Sequence, residues 1–272
     1  MNRRRFSGGA SRTSQQDLLL IETPRAGCDT ARVKRIAIVM PTYNAGQTVE
    51  KVFARIPAAV LTQSPMFIVI NDGSRDDTRE ALARIAAHYA NVEVIEQPVN
   101  KGYAQAQKAG FTRALEQGAD IVALLHSDGQ YAPEHLPLLL DPLASDQCDV
   151  VVGSRILGGQ ARQGGMPLYK YVGNIVISRV ENLCFGLRFS EYHSGYMLYS
   201  RRALQTIDFR RLSDTFHFDG EMLLMSGKKG LRVKELPIST RYADEISHLR
   251  PIRYCLDIGW IIVRNFLGKY EF

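Results

Sequence analysis

The stretch VALLHSDGQYAPE, Val122 to Glu134, decides how the rest of the chain is read. It opens as part of an unbroken apolar run, Ile121 to Leu125, and stops abruptly at His126, Ser127, Asp128, Gly129 and Gln130. A short apolar run that ends in polar residues and glycine reads as a parallel strand buried on both faces. In open α/β sheets, ligands bind just past the carboxyl ends of the strands. Asp128 is therefore expected at the mouth of a cleft, where a carboxylate can orient a divalent cation that holds a diphosphate. A plain helix-capping aspartate is the competing account.

Outward from this strand the same pattern repeats. Apolar runs occur at Ile36–Met40, Phe67–Ile70, Val92–Ile95 and Val150–Val152, and their ends are 25 to 30 residues apart. Each gap suits a crossover helix, so the expected fold is α/β with a mostly parallel, Rossmann-like central sheet flanked by helices. Val49, Val52, Phe53 and Ile56 form one helical stripe, and Leu82, Ile85, Ala86 and Tyr89 another. The small-residue stretch from Gly102 to Gly118 is expected to pack closely on the sheet. Beyond Gly153, a polar loop carrying Gly158, Gly159, Gly164 and Gly165 is a candidate lid. Next come a helix over 167–185 with Leu168, Val172, Ile175, Val176 and Leu183 as its buried stripe, a strand at 196–199, a helix near 217–227 and a strand at 231–239.

The 272 residues carry a net charge of +6, but residues 1–35 hold eight Lys and Arg against three Asp and Glu. The remainder is close to neutral, which disfavours nucleic-acid binding by the folded part. Residues 1–33 read as a disordered basic arm, 34–250 as a single domain, and 251–272 as an apolar C-terminal helix. Arg3, Arg4 and Arg5 are followed by no apolar stretch of a signal peptide. No run reaches the ~18 apolar residues of a spanning helix. Cys28, Cys148, Cys184 and Cys255 are widely separated and read as reduced thiols of a cytoplasmic protein. The last helix is apolar on nearly all sides. Burial against protein (a second copy of the chain included) and a peripheral position at the inner face of a membrane both fit.

Three further motifs place polar residues and glycine after strands: PTYNAGQTVE (41–50), NDGSRDDT (71–78) and VVGSRILGG (151–159). With NKGYAQAQKAGF (100–111) and LLHSDGQYAPE (124–134), their order and spacing resemble the family-two inverting glycosyltransferases of GT-A fold. The chain is most similar to the branch that contains dolichyl-phosphate and polyprenyl-phosphate sugar transferases. The similarity runs from about Arg35 to Leu249 and continues through EYHSGYMLYSRRAL, FHFDGEMLL and ELPISTRYADEIS.

The resemblance implies transfer from a UDP- or GDP-sugar, assisted by Mg²⁺ or Mn²⁺, to a polyprenyl phosphate or another acceptor. Pro41, Thr42, Tyr43, Asn44, Asp72, Asn100 and Gly102 would line the nucleotide-sugar pocket. Asp128 and Gln130 would hold the metal, with Asp128 also facing the diphosphate. His126 stands where many members carry a further aspartate, and two roles are open for it: a third metal ligand, or a histidine packed behind the site. Arg155 would face phosphates, and with Arg241, His248 and Arg250 would cradle an acceptor phosphate. Asp219 or Glu221 would serve as base if the acceptor is a hydroxyl. Ser247, His248 and Leu249 match the Ser-Lys-Leu of the prenyl-phosphate branch only in part, so a soluble hydroxyl acceptor stays open. A nonenzymatic nucleotide-sugar-binding protein is a second alternative. A sugar nucleotidyltransferase ranks low, because no basic residue follows the first strand before Lys51.

Overall fold

The computed structural model describes residues 33–240 and 251–272. The basic arm and the 241–250 segment, with Arg241, His248 and Arg250, lie outside the described residues. Strands run over β1 (Ile36–Thr42), β2 (Met66–Asp72), β3 (Val92–Gln97), β4 (Ile121–Leu124), β5 (Val150–Ser154), β6 (Met197–Ser200) and β7 (Val233–Pro237). Helices run over α1 (Val49–Ala54), α2 (Ala58–Leu61), α3 (Thr78–His88), α4 (Tyr103–Glu116), α5 (Leu136–Ala144), α6 (Gln160–Gln163), α7 (Leu168–Phe185), α8 (Arg201–Thr206), α9 (Phe218–Lys228) and α10 (Pro251–Phe266).

The strands form one sheet in the order β3-β2-β1-β4-β6-β5-β7. All neighbours are parallel except β6, which runs antiparallel to both β4 and β5. Because β6 is reversed, the loop that leads into it arrives at the carboxyl ends of β4 and β5. That reversal carries residues 190–196 to the edge where ligands bind in α/β sheets.

Alternation along the central strands feeds a core on each face of the sheet. Ala37, Val39, Ile68 and Ile70 meet α4, α8 and α9 through Ala106, Phe111, Leu204 and Phe218. Ile38, Met40, Phe67 and Val69 meet α1, α3 and α5 through Val52, Phe53, Leu82 and Leu139. The close packing expected of the small-residue stretch is present at Gly110, where a Cβ would lie 2.2 Å from a Val39 methyl.

Two expectations about faces are corrected. Ala86, placed on the buried stripe of its helix, is exposed. On α7 the expected stripe is turned outward: Leu168, Val172, Val176 and Leu183 are all exposed, and Ile175 is only half-buried. The buried side of α7 is polar, with Ser178 and Glu181 inside. Those groups find polar partners in the loop before β6 and in the residue preceding α9, so apolarity did not decide which side faces in. For α10, Ile258 and Ile261 are buried while Leu256, Trp260, Val263 and Phe266 are exposed. Ile261 and Tyr270 join the core on the α4 side of the sheet, and Lys34–Phe272 forms one compact unit.

Candidate active site

The carboxyl ends of β1, β2 and β4 lie side by side, with Thr42 opposite Asn71 and Val39 opposite Leu124. After β1 the chain turns through Asn44, a non-glycine residue at φ 48°. This turn is tied to the one after β2. The Asn44 backbone N–H donates to Ser74 Oγ at 3.0 Å, and the Arg75 N–H donates to Asn44 Oδ1 at 2.9 Å. Ala45 and Gly46 donate to Thr78 Oγ1 and Asp76 Oδ2 at 2.8 and 3.1 Å. Two loops locked together in this way form a stiff rim. Thr42 is buried, its hydroxyl donating to Met40 O, while Tyr43 is 46% exposed on the outer side.

Asp72 is buried and grips the start of α4. Its two oxygens accept the backbone N–H groups of Lys101 and Gly102 at 2.7 and 2.9 Å. This fixes the Asn100–Gly102 turn beside β2. Gly102 sits at φ 93° with open space around the missing Cβ, so backbone conformation rather than crowding calls for glycine there.

Past β4, Ser127 is buried and donates to Pro41 O at 3.1 Å, which joins the β4 end to the β1 end. Asp128 follows, exposed, with Oδ1 accepting the Gln130 N–H at 2.9 Å. His126, two residues before it, is half-buried. Its Nε2 lies 3.0 Å from Tyr103 Oη and 3.1 Å from Gly195 O, and its ring packs on Tyr103 and Tyr131. Gly195 itself donates its N–H to Tyr131 Oη at 2.9 Å.

The same Tyr103 hydroxyl donates to Asp219 Oδ2 at 2.8 Å, and Gln107 Nε2 donates to Asp219 Oδ1 at 3.0 Å. Burial pushes the Asp219 carboxyl up from its ordinary range, and the Gln107 hydrogen bond, nearby His126 and Tyr103 pull against it. Glu221, two residues on, is held by a different part of the molecule. It is buried and accepts from Ser213 N at 2.8 Å, from the Ser213 hydroxyl and from Tyr270 Oη, with Arg264 3.7 Å away. Its partners are the turn before α9 and the C-terminal tail, a set distinct from that of Asp219.

Arg155, at the end of β5, is 8% exposed and ion-paired with Glu191. Its Nε donates to Glu191 Oε1 at 2.9 Å and its backbone N–H to Glu191 Oε2 at 2.8 Å. Burial pushes the Glu191 carboxyl up, but the charge and hydrogen bonds of Arg155 outweigh it and hold it below the usual range. Arg155 is thus answered first by a carboxylate of its own chain. The glycine-rich stretch after it forms a helical turn and α6, with close packing at Gly164, where a Cβ would lie 1.9 Å from Thr240 O.

Sequence reasoning did not single out Tyr103, Gln107 or Glu191. Tyr103 and Gln107 were visible within NKGYAQAQKAGF, and Glu191 within EYHSGY, but their partners stand 116, 112 and 36 positions away. Local spacing carries no sign of such links.

Residues 37–208 match the model of Glycosyl transferase family 2. The chain is 28% identical over 223 residues to a UDP-N-acetylglucosamine–dolichyl-phosphate N-acetylglucosaminyltransferase of Methanococcus voltae, covering 78% of this chain and 87% of that one. It is 31% identical over 234 residues to a dolichyl-phosphate hexose transferase of Haloferax volcanii, covering 86% and 95%. Among solved structures it resembles glucosyl-3-phosphoglycerate synthase from Mycobacterium tuberculosis in complex with Mn²⁺, UDP and glucosyl-3-phosphoglycerate. The TM-score is 0.58 at 20% identity, over 88% of this chain and 80% of that one. That likeness shows the fold, the GT-A arrangement expected from the strand-end motifs.

Proposed function

The chain belongs to glycosyltransferase family 2, and we propose that it moves a sugar, with inversion, from a nucleoside-diphosphate sugar to a polyprenyl phosphate at a membrane surface. The observation that carries this reading is the exposed Asp128 at the end of β4, beside the rim built by the β1 and β2 loops. Relatives named for dolichyl-phosphate acceptors, matched over nearly their whole lengths, support the acceptor class.

In this reading the rim from Pro41 to Asn44 and the Asn100–Gly102 turn receive the nucleoside. Asp72 acts by holding that turn in place through its two backbone hydrogen bonds. Asp128 and Gln130 offer hard oxygen donors, which suit Mg²⁺ or Mn²⁺. Among the described residues, Asp128 is engaged through Oδ1 by the Gln130 N–H, so the carboxylate retains lone pairs for a cation. His126 is turned toward Tyr103 and Gly195, which favours the packing role over that of a third ligand. A divalent cation bound there would neutralise charge that builds on the departing diphosphate.

The acceptor oxygen attacks the anomeric carbon as the bond to the diphosphate breaks. A phosphate monoester acceptor is already ionised and loses no proton in this step. One observation favours a second reading. Asp219 is a buried carboxylate raised toward neutrality and held by two donors, a form that suits a general base for a hydroxyl acceptor.

A peripheral membrane position is supported by the outward apolar side chains of α7 and α10, two helices that pack on each other. Among the described residues, no helix is long and apolar enough to cross a membrane.

The test supplies labelled UDP- and GDP-sugars, with Mn²⁺, Mg²⁺ or a chelator, to a short-chain polyprenyl phosphate or to soluble sugars. Metal-dependent label in the lipid, lost in Asp128→Ala, is the expected result. Label in a soluble hydroxyl acceptor alone would establish the second reading. Hydrolysis without transfer to either acceptor would sink both.

A further inference from the structure

Behind the sheet edge, four side chains from four segments close on one another. They are Glu181 on α7, His193 in the loop before β6, His217 just before α9 and Tyr254 on α10. The side chains of Glu181 and His217 are 0% and 1% exposed, and that of His193 is 8% exposed. His217 Nε2 lies 2.8 Å from Glu181 Oε1, and His193 Nε2 lies 3.2 Å from Glu181 Oε2. On their far sides both rings reach one hydroxyl. His193 Nδ1 is 2.7 Å and His217 Nδ1 3.0 Å from Tyr254 Oη.

These four contacts form a closed ring. Among the described residues, two of its buried atoms, Glu181 Oε2 and His193 Nε2, have no hydrogen-bond partner although they face each other at 3.2 Å. Buried polar atoms without a partner are costly, and a cation between them would satisfy both.

The ring has the shape of a metal site. One ligating atom each from Glu181, His193 and His217 lies within 4.8 Å of the other two. Each histidine Nε2 lies against a different oxygen of the one carboxylate, at 2.8 and 3.2 Å, so both rings and the carboxylate converge on one small space. With both Nε2 atoms on a cation, both Nδ1 atoms become N–H donors, and Tyr254 Oη accepts from both. Metal-bound histidines commonly make such an outer hydrogen bond. Two imidazoles and one carboxylate suit Zn²⁺ better than Mg²⁺.

We propose that Glu181, His193 and His217 bind a zinc-class divalent cation, with Tyr254 as their shared outer partner. This site is separate from the donor-side oxygens of Asp128 and Gln130. Its role is structural: it pins α7 and α10, which carry the outward apolar side chains, to the loop and helix that carry Gly195 and Asp219. His193 also accepts a hydrogen bond from Arg155 through its backbone carbonyl at 2.5 Å, so the cation would steady the end of β5 as well.

Full-length protein, purified without metal-binding tags or chelators, is analysed for bound metal by mass spectrometry and then stripped and refilled. About one zinc per chain is expected, resistant to excess Mg²⁺, with a fall in Tm on stripping that Zn²⁺ but not Mg²⁺ reverses. Co²⁺ substitution should give a visible d–d spectrum without a thiolate charge-transfer band, which separates this site from cysteine binding. Tyr254→Phe should keep the metal with about 10- to 100-fold weaker affinity. His193→Asn should lower the stoichiometry toward zero. Should His193→Asn fail to fold, the wild-type stoichiometry and the Co²⁺ spectrum still decide. Protein that carries no zinc, gives no Co²⁺ spectrum and does not respond to Zn²⁺ in Tm overturns the proposal.

Discussion

Tyr103 donates its hydroxyl hydrogen to Asp219 Oδ2 at 2.8 Å, linking the first turn of α4 to the first turn of α9 across 116 positions of sequence. With the Gln107 amide on the other oxygen, it opposes the upward push that burial exerts on Asp219. If Asp219 takes a proton from a hydroxyl acceptor, activity requires its charged form, and the acid limb of kcat/KM follows its pKa. Removing either donor removes a stabiliser of the charged form. Gln107→Leu should therefore move that limb to higher pH, and Tyr103→Phe should move it in the same direction by less. A limb that stays in place in both variants would mean that Asp219 is not the base, as a lipid-phosphate acceptor requires.

Glu221 tests the opposite assignment. Its carboxylate accepts from Ser213 and Tyr270 in the interior, so Glu221→Ala leaves those donors unpaired. Losing hydrogen bonds to a buried charged group should cost on the order of 3 kcal/mol in stability. Turnover per folded molecule should stay within about twofold of wild type, since no step in the proposed reaction uses Glu221. Unfolding by denaturant and an active-site titration measure the two quantities separately. A collapse of turnover at unchanged stability would restore Glu221 as a base.

His126 should act through packing. Its Nε2 is held between Tyr103 Oη and Gly195 O, and a Cβ on Gly195 would come within 2.7 Å of it. Gly195→Ala should therefore destabilise the fold by about 1–3 kcal/mol, the usual range for overpacking. Neither Gly195→Ala nor His126→Asn should change the ratio of rates with Mn²⁺ and Mg²⁺. A shifted ratio in His126→Asn alone would make the histidine a metal ligand.

Much of the sheet was legible because parallel strands buried on both faces appear as plain apolar runs, and β1, β2, β4 and β5 all do. The reversed direction of β6 was not, since Met197–Ser200 carries no mark of orientation. On α7 the apolar stripe pointed the wrong way for a physical reason. Helical periodicity locates the core only where the core is apolar, and here the inward face meets histidines and a carboxylate. Asn174 donates to Glu191 and Asn182 to Phe189 O, so α7 is docked by hydrogen bonds. The strand-end motifs of the site were visible because each sits within a dozen residues. The contacts of Asp219, Glu221 and Arg155 bring together residues far apart in sequence and had to be seen in three dimensions.

The outward face of α7 and α10 gives the last prediction. Leu183, Trp260 and Phe266 are 85%, 60% and 71% exposed, and Leu256 and Leu267 are exposed beside them. Each such side chain gains about 1.5–3 kcal/mol when it leaves water, so a few inserted together can hold a protein at a membrane interface. A second copy of the chain is the competing cover for the same side chains. Trp260 is the sole tryptophan, so its fluorescence reports this face without mixing. Anionic vesicles should shift its emission to the blue and pellet the full-length protein. Leu256→Glu and Phe266→Glu should each weaken vesicle binding by roughly tenfold, the scale of a lost apolar contact, while nucleotide binding stays unchanged. Protein that remains in the supernatant at low salt, and sediments as a dimer that Phe266→Glu dissociates, would assign the face to a second subunit. In that case the acceptor would have to reach the site without a membrane beside it, and Asp219 as base for a soluble hydroxyl would become the stronger reading.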